Sequence, residues 1–185
     1  MKKLALLAIL LVSISCKTKI ETKTEAENDK TKMETFTSQK GVMIKYIFQE
    51  SIELDYLTTT QIIKVETYNM ESYFFVIDMG WSSYDGKHYS ASIEYTDLCE
   101  IIVALNTQKS EIEFDKKNNP YITRNEFITV DGVTVGYEVS TKNKIVWYIG
   151  LERNKYGSRM KFDNADTLRE ILIDAKNKIE ELKNK

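Results

Sequence analysis

The stretch His88–Leu105 reads HYSASIEYTDLCEIIVAL, and its period changes in mid-course. Up to Tyr95 the pattern alternates. Tyr89, Ala91, Ile93 and Tyr95 share one face and polar residues the other, as in a half-buried strand. Beyond it, Leu98, Ile101, Ile102 and Leu105 fall at i, i+3, i+4 and i+7, one face of an α-helix. Asp97 and Glu100 suit a capping box at its start, so a helix is expected over about 97–107. The same strand-to-helix junction returns in Arg159–Leu172, RMKFDNADTLREIL. There Met160 and Phe162 end a short strand, and Asn164 or Asp166 can cap a second helix. Leu168, Ile171, Leu172, Ala175, Ile179 and Leu182 extend an apolar stripe that predicts this helix over about 165–183. Lys176, Lys178 and Lys183 suit the negative end of its dipole.

Outward from these junctions the pattern is mostly strand. Val42–Phe48, Thr60–Tyr68 and Tyr73–Met79 are rich in β-branched and aromatic residues. Phe127–Val130 and Val133–Val139 flank Asp131-Gly132, a strong hairpin signal. Lys144–Leu151 comes after a turn at Thr141-Lys142-Asn143. The expectation is an α+β domain over 41–185, with one antiparallel sheet of about 7–9 strands, two helices and two βββα-like halves. The echo between the halves reads either as a duplication or as two ordinary strand-to-helix junctions.

Composition supports one folded unit with a tail. Of 185 residues 42% are apolar, and 11 Tyr, 7 Phe and 2 Trp supply large burial areas. The formal net charge of −2 shifts to −4 if Lys2 and Lys3 are removed. The arginines (Arg124, Arg153, Arg159 and Arg169) form no run. Nucleic-acid binding therefore lacks its usual electrostatic drive. Cys16 and Cys99 are the two cysteines. Cys16 suits a lipid site better than a bridge, which leaves Cys99 as a small hydrophobe, and no disulfide is expected.

Residues 1–16, MKKLALLAILLVSISC, set Lys2 and Lys3 before the apolar run Leu4–Val12. That run is far short of the roughly 20 residues that span a bilayer, so it reads as a signal-peptide core over 1–15. Ser13-Ile14-Ser15-Cys16 resembles a lipobox, with Ser13 in place of the usual Leu. The leader and the segment after it resemble those of small envelope lipoproteins of Gram-negative bacteria. The resemblance implies cleavage before Cys16, acylation of Cys16 with chains such as palmitate, and anchoring in the membrane. Lys17 after the cysteine resembles lipoproteins passed to the outer membrane. In 17–40, 16 of 24 positions are Lys, Thr or Glu. Residues 16–40 are therefore expected as a disordered tether of roughly 25–30 Å root-mean-square span.

Chemistry is sparse in the pattern. His88 is the one histidine, no CxxC or two-His spacing offers a metal site, and no glycine-rich cradle offers a cofactor site. Ser82, Asp85 and His88 lie too close in sequence for a triad, whose members converge from separate elements. Asp78, Glu94, Asp97 and Glu100 are acids whose clustering the sequence leaves open, and Asp115–Pro120 reads as a loop. Trp81, Tyr84, Asp85, His88 and Tyr89 surround a turn and form the candidate binding surface, suited to a sugar ring or a protein partner. The leading expectation is a non-enzymatic binding or assembly module in the cell envelope, facing a protein or glycan. The alternatives are an inhibitor or immunity protein of a secreted enzyme and a carboxylate-based envelope hydrolase.

Overall fold

A computed structural model describes residues 30–49, 51–54, 58–118 and 121–185. Cys16, the leader over 1–15 and the tether up to residue 29 lie outside the described residues. The fold is α+β, with antiparallel strands throughout. The first sheet comprises β1 (Lys45–Phe48), β2 (Ile52–Glu53), β3 (Thr59–Glu66), β4 (Glu71–Trp81) and β5 (His88–Glu94). Its order is β1-β3-β4-β5, and β2 pairs with β3 below β1, so the two short strands share one edge of β3. The second sheet is a meander of β6 (Ile122–Ile128), β7 (Thr134–Ser140), β8 (Ile145–Gly150) and β9 (Arg159–Phe162).

Each meander is followed by a long helix, α2 (Tyr95–Asn118) after the first and α3 (Ala165–Lys183) after the second. The halves therefore hold five and four strands, each set closed by a helix, and their strands form two sheets rather than the single one expected. Alternation along a strand reports its faces but not its sheet. Here β5 runs straight into a helix about 36 Å long at 1.5 Å per residue. The second meander then forms on its own hairpins. Its first turn holds Asp131-Gly132 as expected, with Gly132 at φ +88° and its N–H on the Thr129 carbonyl.

Helix α3 matches its expected bounds, and Asn164 caps it by accepting from the Thr167 N–H at 2.8 Å. Helix α2 overruns its expected end by three turns, so Asp115–Asn118 is helical rather than a loop. Its start also needs correction. Asp97 lies in the first turn and is 3% exposed, turned inward instead of capping through Glu100.

The main core lies between the helix pair and the inner faces of both sheets. Leu98, Ile101 and Leu105 of α2 and Leu168, Leu172 and Ile179 of α3 meet Phe75, Ile77, Val135 and Ile149 there. Tyr137 is fully buried against Trp147, ring centroids 4.9 Å apart, and its hydroxyl donates to Asp115 at 2.5 Å. Close approach of β6 to β7 depends on Gly136, since the Asn125 carbonyl oxygen lies 2.0 Å from where a Cβ would stand.

A third helix, α1 (Lys32–Thr37), lies in the segment expected as tether. The disordered reading of 16–40 therefore fails over its last part. Thr31 and Glu34 form a capping box, and Met33 and Phe36 pack with Ile44 onto Ile63, Val65 and Phe74 on the outer face of the first sheet. These few contacts offset the entropy that composition alone would leave uncompensated. They also explain the unbroken apolar run of β4, which is buried on both faces.

Candidate functional site

The turn between β4 and β5 is built locally. Asp78 accepts from the Gly80 N–H at 2.8 Å across a bulge, and Gly80 takes φ +65°. That re-aims the strand end, so that Trp81 pairs with His88 across the ladder. At the tip the Ser82 N–H donates to Lys87, the Gly86 N–H donates to Ser82, and Gly86 sits at φ +66°.

The five residues expected as one surface divide into two groups. Trp81 and Tyr84 are 69% and 71% exposed. His88 stands edge-on to Trp81, with centroids 5.9 Å apart, and its Nε2 lies 3.0 Å from Asp78. Tyr89, by contrast, is 3% exposed and belongs to the core, which removes it from the surface. Its hydroxyl donates to Asp85 at 2.5 Å, and the Lys87 N–H donates to the other carboxylate oxygen. The Tyr89 hydrogen bond, followed by the Lys87 N–H, holds the Asp85 carboxyl below its ordinary value. The same bond, with burial, pushes the Tyr89 hydroxyl up to about 12. Asp85 also lies against Gly157, where a Cβ would stand 2.6 Å from its carboxylate. Tyr84 packs on Tyr156 with centroids 5.3 Å apart. The turn of the first half is thereby clamped onto the second half.

The outer face of the second sheet continues from that clamp. Lys161 donates to the Tyr156 hydroxyl at 3.1 Å, and Arg159 lies 4.4 Å over the Tyr148 ring. The Tyr148 hydroxyl donates to Glu126, which also pairs with Arg159 at 3.0 Å. Burial, then the Glu126 hydrogen bond, raises the Tyr148 pKa. Arg124 pairs with Glu138 at 2.8 Å.

A second constellation gathers where α1 meets both halves. The Lys32 ammonium lies 2.6 Å from Asp97 and 3.4 Å from Glu94, and the Lys32 N–H donates to both oxygens of Asp131, at 3.0 and 2.9 Å. Glu94 also accepts from Ser72 and Thr96. Asp97 is nine-tenths buried, and its second oxygen has no donor among the described residues. Burial works against the Lys32 charge, but the Asp97 hydrogen bond and the charges of Asp97 and Glu94 outweigh it, so its pKa is raised. At Asp131 burial dominates and raises the pKa, against the pull of the Lys32 N–H.

Of the four acids whose clustering the sequence left open, Glu94 and Asp97 meet here. Asp78 faces His88 instead, and Glu100 lines a groove between α2 and β6. The signal for this cluster was present as Thr31-x-x-Glu34 around Met33 and Phe36, a capping box inside a polar run. The three carboxylates share a lysine rather than facing one another across an open cleft, an ion-pair geometry rather than that of an acid–base dyad. Among the described residues no group of His, Cys, Asp or Glu is placed to hold a metal ion, and Cys99 is a free, half-buried thiol. No described helix is long and apolar enough to cross a membrane.

Comparison with protein-family models, with curated proteins and with solved structures finds no match to this chain.

Proposed function

We propose that the chain is a lipid-anchored, non-enzymatic binding or assembly module of the cell envelope, held at the outer membrane through Cys16. Its partner is an envelope protein or glycan. The anchor rests on the sequence of residues 1–16. The binding role rests on one observation: Trp81 and Tyr84 stand exposed on a turn that Asp85 and Tyr156 hold rigid. Large apolar rings kept in water at little conformational cost suit stacking on a sugar or insertion into a protein pocket. A second reading, an inhibitor or immunity protein, draws on the same feature, since a rigid aromatic hairpin tip suits an enzyme cleft.

The anchor is tested by intact mass of the full-length protein from a bacterial host beside a Cys16→Ala variant. A mass fitting cleavage before Cys16 plus acyl chains, lost in the variant, is expected; a mature form without lipid overturns the anchor. Binding of isolated envelope glycan, read for Trp81→Ala and Tyr84→Ala against the parent, then separates the two readings. Loss in both variants supports glycan recognition. Absence of binding by the parent turns the search to protein partners.

A further inference from the structure

We propose that the trough on the outer face of the first sheet is a docking site for a basic, amphipathic helical segment of a partner protein, and that α1 occupies it as an internal stand-in. The inference deepens the reading of the chain as a binding module by naming a second surface and the chemistry it takes.

Helix α1 has six residues, none of them buried, and helices this short do not hold together alone in water. Met33 and Phe36 cover the apolar floor of Ile63, Val65 and Phe74 only in part. Grooves of about 400 and 500 Å3 remain on its two sides. One runs past Ile63, Val76 and Ser92, the other past Ser72, Phe74 and Glu94, and both reach Asp131.

Charge then fixes what kind of segment fits. Glu94 and Asp97 pair with the one ammonium of Lys32, while Asp131 takes only the Lys32 backbone N–H; Lys30 lines the rim and forms no ion pair with the three. Asp97 keeps a buried oxygen with no donor among the described residues, and desolvation raises the pKa of Asp131. The trough is therefore more acidic than its present occupant is basic. Glu94 and Asp131 both line the groove beside Lys32, whose ammonium is held closest by Asp97, and a second cation there would pair with the charge left over. The position for that cation is Thr35, one helical turn after Lys32, which lines the groove shared with Glu94 and Asp131. A better ligand carries cations at the positions of Lys32 and Thr35 and apolar side chains at those of Met33 and Phe36.

The probe is a dye-labelled peptide of residues 28–40, its Thr35→Lys form and its Lys32→Glu form, added to the full chain and followed by fluorescence anisotropy. In the receptor, Lys32→Glu releases α1 by placing a fourth acid among three. That variant is expected to bind the parent peptide at least tenfold more tightly than the wild-type chain does. The Thr35→Lys peptide is expected to gain a further fivefold, and the Lys32→Glu peptide to bind neither chain. Should the Lys32→Glu chain fail to fold, Met33→Ser with Phe36→Ser opens the trough without altering charge and carries the same expectation. Equal binding to wild type and variant, or none to a folded variant, overturns the inference. So does a wild-type dimer that Lys32→Glu abolishes in light scattering, which assigns the trough to a second copy of the chain. An acylated protein that ignores the peptide removes only this inference. One that takes the peptide without acylation removes only the anchor.

Discussion

The two sheets share a plan and differ on their outer faces. On the first sheet, Ile63, Val65 and Phe74 make that face apolar, and α1 must lie over it to keep it from water. On the second, Arg124 pairs with Glu138, and Glu126 with Tyr148 and Arg159, across the outer face, and no described helix covers them. One half thus borrows a cover from the N-terminal segment, whereas the other carries its own polar lattice. Stability on the first face should depend on packing and on a single ion-pair centre. On the second it should be spread over several weak contacts.

The sharpest way to break the contrast is Phe74→Ala. Phe74 is 1% exposed, and its loss should cost about 3–5 kcal/mol, read as a lowered urea midpoint. A cost below about 1 kcal/mol would mean that the outer face is not a packed layer. Next comes Lys32→Ala, which strands Asp97 without its counter-charge. Removing one partner of a fully buried pair costs about 3–5 kcal/mol, but Lys32 is 34% exposed, so about 1–3 kcal/mol is expected. Amide exchange over 32–37 should rise to the solvent-limited rate while exchange in β7 stays slow. On the second face Tyr148→Phe removes one hydroxyl and leaves Glu126 its pairing with Arg159. About 1 kcal/mol is expected, with no rise in exchange over 32–37.

The smallest effect is in the titration of two aspartates, followed by NMR. Asp85 should titrate below its ordinary 3.8, so that it adds stability above that value and loses it as pH falls towards the folded pKa. Asp131 should titrate above 3.8, where the folded state holds the proton more tightly. Its ionisation therefore weakens the fold as pH rises through that window, against Glu94 and Asp97 on one side and Lys32 on the other. An ordinary value for Asp85 would mean that Tyr89 does not hold it as closely as the distance implies, and an ordinary value for Asp131 that its carboxylate is less desolvated than its burial implies.

Much of this architecture was legible because burial leaves a period in the sequence. Helix α3 could be bounded at both ends, since Asn164 caps it and its stripe from Leu168 to Leu182 is continuous. The Asp131-Gly132 hairpin was equally plain. Helix α2 was cut short because after Leu105 its buried residues are few, and only Gln108 is fully covered in the second half. Residues that ride in solvent leave no periodic trace. The division into two sheets was hidden because pairing partners are set by tertiary contacts and not by alternation. The candidate turn was found, but Tyr89 was misplaced within it. Its alternation with Ala91, Ile93 and Tyr95 already put it on the apolar face, and nearness to the turn was the weaker signal. The acidic trough escaped because its three acids come from β5, α2 and the β6–β7 turn, and the lysine that joins them sits in a stretch of tether-like composition.

The placing of α1 also has a mechanical consequence. The Lys32 side chain grips Glu94 and Asp97 in the first half, while its backbone N–H grips Asp131 in the second. Tension entering the chain at Lys30 therefore meets this short helix before it reaches a sheet. The first strand behind it, β1, is an edge strand of four residues paired only with β3. Residues 30–44 reach at most about 50 Å as an extended chain, so loss of the α1 contacts lengthens the path to β1 by less than that. The main core is untouched by that step. On this geometry a pull at the N-terminal side is expected to detach α1 before it strips a strand, read in force spectroscopy as a small first step ahead of the main unfolding event.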